Sequence, residues 1–167
     1  MLTFRPIAYN PANYTAFKYV GTSSCTEGQI CYLSASALGY NSCTLFNGVS
    51  PATIPLGVVT TATGLHVYDK SKYFVIFRED PDLDSTAGTI AKNEWCTAFP
   101  LIPGAEFEVH KNVIERGVAT VWSSIGQNAC LGSNGKWTPI NKDNATGLVL
   151  AECIGTFNST WIRLRVK

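Results

Sequence analysis

The groups in this chain whose types and spacing could do chemistry are two histidines, a pair of alternating glutamates, a row of alternating aspartates and six cysteines. Glu106 and Glu108 stand at i and i+2 of the stretch Glu106-Phe107-Glu108-Val109-His110. A strand separates such positions by roughly 7 Å, within range of two carboxylates that cleave a glycosidic bond. Alternating glutamate on a solvent-facing strand is common, however, and that is the reading adopted. A Ser-His-Asp or Cys-His device would need His66 or His110. His110 ends the alternating stretch on its charged side, as a surface residue would, and His66 lies in a turn-to-strand segment with no Gly-x-Ser-x-Gly elbow in the chain. Asp80, Asp82 and Asp84 start like a calcium loop, but Ser85 and Ala91 occupy the positions where an EF-hand needs Gly and Glu. They read as a solvated acidic loop.

Cys25, Cys31, Cys43, Cys96, Cys130 and Cys153 contain no Cys-x-x-Cys pair and have no histidine beside them, so zinc chemistry is not indicated. The N-terminus has no basic region followed by an apolar stretch, so it does not read as a secretory signal, and the cysteines are expected as buried, reduced thiols. The sequence therefore implies no catalytic set, no metal and no cofactor. Asn13, Asn144 and Asn158 match the glycosylation pattern, as chance predicts in a chain rich in Asn and Thr. Of Trp95, Trp122, Trp137 and Trp161, a set that could stack on sugars, Trp137 is expected to be the most exposed because it follows a turn.

The elements that would position these groups are strands. Of 167 residues, 46% are apolar and only 15% charged, with a net charge of +1. That is enough for a sizeable core, and it points to neither nucleic acid nor a membrane surface as partner. Apolar runs fall far short of the ~20 residues a membrane-spanning helix needs. Tyr73 to Phe77 is a continuous apolar run, as in a strand buried on both faces. In Trp161 to Val166, Ile162, Leu164 and Val166 share one face. Residues 89 to 94 are expected to form one helical turn, and Val118 to Trp122 a strand. Two stretches read as copies of one β-unit: Glu27-Gly28 through Cys43 to Asn47-Gly48 and Tyr73 to Arg78, and Arg116-Gly117 through Cys130 to Asn134-Gly135 and Trp161 to Val166. In both, the Cys precedes the Asn of the turn by four residues. Asn-Gly is a strong turn signal because both residues tolerate positive φ. The expected fold is all-β: one or two small barrel or sandwich lobes built from duplicated hairpins, with an irregular N-terminal arm. The expected divisions are an arm at 1–24, a lobe at 25–79, a linker at 80–94 and a lobe at 95–167, or one merged domain.

Five pieces resemble phage capsid decoration (cement) proteins of the small β-barrel kind: Glu27-Gly28, Ile54-Pro55-Leu56-Gly57-Val58-Val59, Pro103-Gly104-Ala105-Glu106-Phe107-Glu108-Val109, Gly135-Lys136-Trp137-Thr138 and Ile162-Arg163-Leu164-Arg165-Val166. The resemblance is scattered over residues 27 to 166. It implies a non-enzymatic protein, made in the host cytoplasm, that clamps the outer surface of an icosahedral head. Its partner would be the major capsid protein, and it would sit there as a homo-oligomer such as a trimer. Phe4, Tyr9, Tyr14, Phe17 and Tyr19 of the arm, with Asn134, Lys136 and Trp137 of the second turn, are the expected contact residues. The alternative is a carbohydrate- or receptor-binding β-module of a phage tail or fibre.

Overall fold

The computed structural model describes residues 3–8, 14–34, 42–45, 58–60, 66–68, 73–78, 88–115, 125–131, 133–140, 149–157 and 160–167. The fold is all-β, as expected. Five strands close a barrel: β2 (Thr15–Tyr19), β4 (Ile30–Ser34), β5 (Ser42–Leu45), β8 (Tyr73–Phe77) and β10 (Trp95–Pro100), in the order β10-β2-β5-β4-β8. Only β2 and β5 are parallel within it. Six more strands form an antiparallel sheet: β1 (Phe4–Ala8), β11 (Glu106–His110), β12 (Asn128–Leu131), β13 (Trp137–Ile140), β14 (Val149–Phe157) and β15 (Trp161–Val166), in the order β1-β11-β15-β14-β12-β13. Two short ribbons complete the described strands: β3 (Cys25–Thr26) with β9 (Thr89–Ile90), and β6 (Val58–Thr60) with β7 (His66–Tyr68).

The continuous apolar run of β8 follows from its place between two cores. Phe74 and Ile76 point into the barrel with Phe17, Tyr19, Cys31, Cys43, Cys96 and Ala98, and Cys25 and Ile90 join them from the β3–β9 ribbon. Tyr73, Val75 and Phe77 belong to the larger core, which includes Phe4, Phe99, Phe107, Trp137, Leu150, Ile162 and Leu164. Period-two alternation thus sends successive side chains into different cores, and neither face can be polar. Phe4 lies 5.1 to 5.6 Å from Phe77, Phe99 and Phe107, ring centre to ring centre. Such tilted and edge-on pairs add about 0.5–1.5 kcal/mol each beyond area burial.

The N-terminal segment is not an irregular arm throughout. β1 pairs with β11, and β2 pairs with β10 and β5. Phe4, Phe17 and Tyr19 are buried in this chain's own cores. Pro6 is tolerated because β1 is an edge strand, where a missing N–H removes no ladder bond. The expected boundary between lobes is crossed too, because β10 completes the barrel with strands from residues 15–77. Residues 89–90 are a strand rather than the start of a helical turn, followed by a turn in which Asn93 is left-handed.

The two repeated stretches take different partners. β5, carrying Cys43, pairs with β4 and β2, whereas β12, carrying Cys130, pairs with β13 and β14. Asn134 and Gly135 have φ of 52° and 68°, the positive values their turn was expected to need. The Asn47-Gly48 turn, the Asp80 to Asp84 loop, Trp122 and the strand expected over 118–122 lie outside the described residues, as do the three glycosylation-pattern asparagines. Cys25, Cys31, Cys43, Cys96 and Cys153 are buried free thiols.

Candidate functional site

Two places gather the residues singled out in the sequence: the outer face of the six-stranded sheet, and the seam between sheet and barrel. On the sheet, register sets the chemistry. β11 places Glu106 opposite Arg165 and Glu108 opposite Arg163 on β15, while β1 places Arg5 opposite Glu108. Phe107 and Val109 point the other way and are fully buried. Arg163 donates to Glu108 Oε1 from Nε at 3.2 Å and from Nη2 at 2.8 Å. Arg5 Nη1 lies 3.7 Å from the other oxygen of Glu108. Arg165 donates to Glu106 from Nε at 3.0 Å, and its Nη1 lies 3.9 Å from Glu152 on β14. Lys167 Nζ lies 3.9 Å from Glu152 and donates to Asn128 Oδ1 at 2.8 Å. The Arg5 guanidinium sits 4.0 Å over the Trp161 ring. The result is an alternating lattice of cations and anions across four neighbouring strands, with a half-buried Trp161 at one end.

Glu108 does not face open solvent, as alternation alone suggested. It is 6% exposed, covered by the two arginines that pair with it. Both glutamates are paired with arginines by charge-assisted bonds. His110 is also buried rather than superficial. Its Nδ1 accepts from the Asn112 N–H at 3.2 Å, capping the 3-10 turn Lys111–Val113, and its ring meets Trp161 edge-on at 5.3 Å. Burial, helped by Lys111 and Arg5, lowers the His110 pKa and keeps the ring neutral. The His66 side chain lies outside the described residues. Among the described residues, no group of three or more His, Cys, Asp or Glu side chains is placed to hold a metal ion.

The second turn packs into the seam through Gly135 and Trp137, while Asn134 is exposed and Lys136 half-buried. Trp137 is fully buried, contrary to the expectation that it is the exposed tryptophan. Its Nε1 donates to Gly28 O at 2.9 Å, and its ring lies 5.4 Å from Phe107. Gln29 Nε2 donates to Asn134 O at 2.8 Å. Gly135 packs on the backbone of Ile30 so closely that an added Cβ would collide with the Ile30 carbonyl. Gly28, with φ of +91°, donates to Ile76 O on β8. Thr3 Oγ1 donates to Glu27 O, and the Glu27 carboxylate accepts from Arg78 N–H at 3.1 Å. Burial raises the Glu27 pKa. The residues from Glu27 to Gln29 therefore tie together β1, β8 and the turn before β13. Sequence reasoning did not single out Gln29; only its position next to the Glu-Gly pair marked it.

Of the expected contact residues, Phe4, Phe17, Tyr19 and Trp137 are buried within the chain. Tyr14 is half-buried with its ring 5.3 Å from Phe77, Lys136 is half-buried and Asn134 is exposed. Tyr9 lies outside the described residues. Among the described residues, the large exposed apolar side chains are Ile7, Trp95, Ile102 and Ile125. Ile7 sits on the edge strand β1, beside the charged lattice. Nothing but the repeating polar outward positions of β11 and β15 signalled that lattice in the sequence.

No family model matches the chain, and no curated protein matches it. Among solved structures it is similar to the N base of the head fiber gp8.5 of bacteriophage phi29, at 12% sequence identity and a TM-score of 0.45, over 92% of this chain and 94% of that one.

Proposed function

We propose that the chain is a non-enzymatic structural protein of a phage particle that binds the outside of an assembled shell of major capsid protein. One observation carries this reading: four of the five cement-like pieces meet in space, two by two. Pro103 to Val109 and Ile162 to Val166 lie far apart in sequence, yet they hold most of β11 and β15 and meet in four register pairs, from Glu106–Arg165 to Val109–Ile162. Glu27-Gly28 and Gly135 to Thr138 also meet, through the Trp137 Nε1 bond to Gly28 O. The convergence forms a rigid plate whose outer face is the charge lattice. Alternating charges favour one docking register on a complementary surface and disfavour the others. The repeated geometry of a shell then multiplies many modest contacts through avidity.

The test is head stability. Added protein should raise the temperature at which expanded heads burst, and the shift should grow with occupancy, because ligands that bind only the assembled state stabilise it by mass action. Heads that burst at the same temperature with and without saturating protein would remove the proposal. Binding to a glycan array together with that result would favour the tail or fibre module.

A further inference from the structure

The outer face of the sheet is layered by charge. The side chains of Arg5, Arg163 and Arg165 are between 32% and 48% exposed, whereas those of Glu106, Glu108 and Glu152, which pair with them, are between 8% and 28% exposed. The carboxylates lie underneath and the guanidinium groups on top. A partner approaching the plate therefore meets cations first, although the carboxylates below offset much of their charge. Register fixes where those cations stand. Arg5, Glu108 and Arg163 lie opposite one another across β1, β11 and β15, so two arginines flank one carboxylate. Strand spacing sets these two arginines roughly 10 Å apart, and Arg165 follows two residues along β15, roughly 7 Å from Arg163.

Arg5 is the least committed of the three. Arg163 donates twice to Glu108, and Arg165 donates to Glu106. The Arg5 guanidinium makes no hydrogen bond among the described residues; its contacts are the Trp161 ring at 4.0 Å and a Glu108 oxygen at 3.7 Å. The ring fixes the group in place without using an N–H donor. The ring in turn meets the buried His110 edge-on. A planar fork of donors, positioned in advance and half exposed, matches the two oxygens of an anionic group.

We propose that Arg5, Arg163 and Arg165 form a recognition patch for an extended acidic segment of a protein partner. Acidic residues two or three apart on an extended chain place carboxylates roughly 7–10 Å apart, the spacing of the three arginines. A second copy of the plate does not fit, because two such faces in register would set arginines against arginines. Duplex DNA fits less well. It carries one charge per roughly 1.7 Å of axis, and the glutamates between the arginines would meet phosphates that no cation offsets. The inference rests on the shell-binding reading only in assigning the acidic segment to the major capsid protein.

The test is a nuclear magnetic resonance titration of the full-length chain with a synthetic peptide of alternating Thr and Glu, at low salt. A peptide of alternating Thr and Gln and a short DNA duplex are titrated in parallel. The expected result is perturbation centred on the amides of Arg5, Arg163 and Arg165 and on the Trp161 indole N–H, with weaker binding of both controls. Arg5→Ala should raise the Kd for the acidic peptide at least about tenfold, the usual weight of a lost charge-assisted bond pair. Arg165→Gln tests the same patch from β15 should the first variant unfold. Equal affinity for the Gln peptide, perturbations centred elsewhere, tighter binding of the duplex, or wild-type affinity in a folded Arg5→Ala variant would each overturn the assignment. Peptide binding at the patch by a chain that fails to sediment with shells would support the patch and remove the shell reading instead.

Discussion

At the scale of single residues, the seam between sheet and barrel rests on a few polar atoms buried among aromatics. Trp137→Phe keeps most of the ring but deletes the donor to Gly28 O. The orphaned carbonyl should cost about 1–3 kcal/mol, read as a lower urea midpoint with an unchanged slope. An unaltered midpoint would mean that the bond is replaced by water and the seam is wetter than its burial indicates. His110 supplies a pH signature. Its folded pKa is lowered from 6.5, so its contribution to stability is fully present above 6.5 and is lost as pH falls through the folded value. Glu27 acts in the opposite sense: its raised pKa means that its contribution is present below 4.5 and is lost as pH rises through the folded value. Between about pH 5 and 8 the His110 contribution alone lowers the unfolding midpoint toward the acid end, and His110→Gln should remove that component of the slope. An identical slope in the variant would show that another group sets it.

At the scale of elements, β1 is the strand that changes most between sequence and structure. Its five residues include Pro6 and no clean alternation, so the segment looked irregular. The partner that orders it, β11, lies about a hundred residues away, and no local pattern reports a pairing of that kind. Alternation did expose β11 and β15, because each buries one face and offers charges on the other, and the apolar run exposed β8, because both its faces are buried. Trp137 misled for the same reason that β1 did. Its position after a turn is local information, whereas its burial depends on Gly28, Phe107 and the packing of Gly135 on Ile30. The charge lattice was half legible, with the glutamates visible on one strand and their arginine partners visible only once register was known. Phe4→Ala should destabilise the fold by about 3–5 kcal/mol, the usual cost of truncating a buried phenylalanine, measured by denaturant unfolding. A change below about 1 kcal/mol, within the range of surface substitutions, would restore the picture of a dispensable arm.

At the scale of the whole molecule, the barrel and the sheet share one aromatic core, so the charged plate is held rigidly against the barrel. A rigid plate has paid its ordering entropy before it meets a partner, which favours binding to a surface of fixed spacing. Arg165→Glu should therefore weaken shell binding more strongly than it weakens the fold, because Arg165 pairs with Glu106 near the surface, where ion pairs contribute little to stability, while like charges facing a complementary partner are strongly disfavoured. A variant that binds shells as wild type does would move the contact surface elsewhere on the molecule. The most direct measurement is co-sedimentation of the purified chain with shells of the major capsid protein encoded by the same genome, in expanded and in rounded immature form. Saturable binding to expanded shells, with little to rounded ones, is the expected result. Wild-type protein that stays in the supernatant with both forms, at concentrations where it remains folded, would contradict a role on the capsid surface.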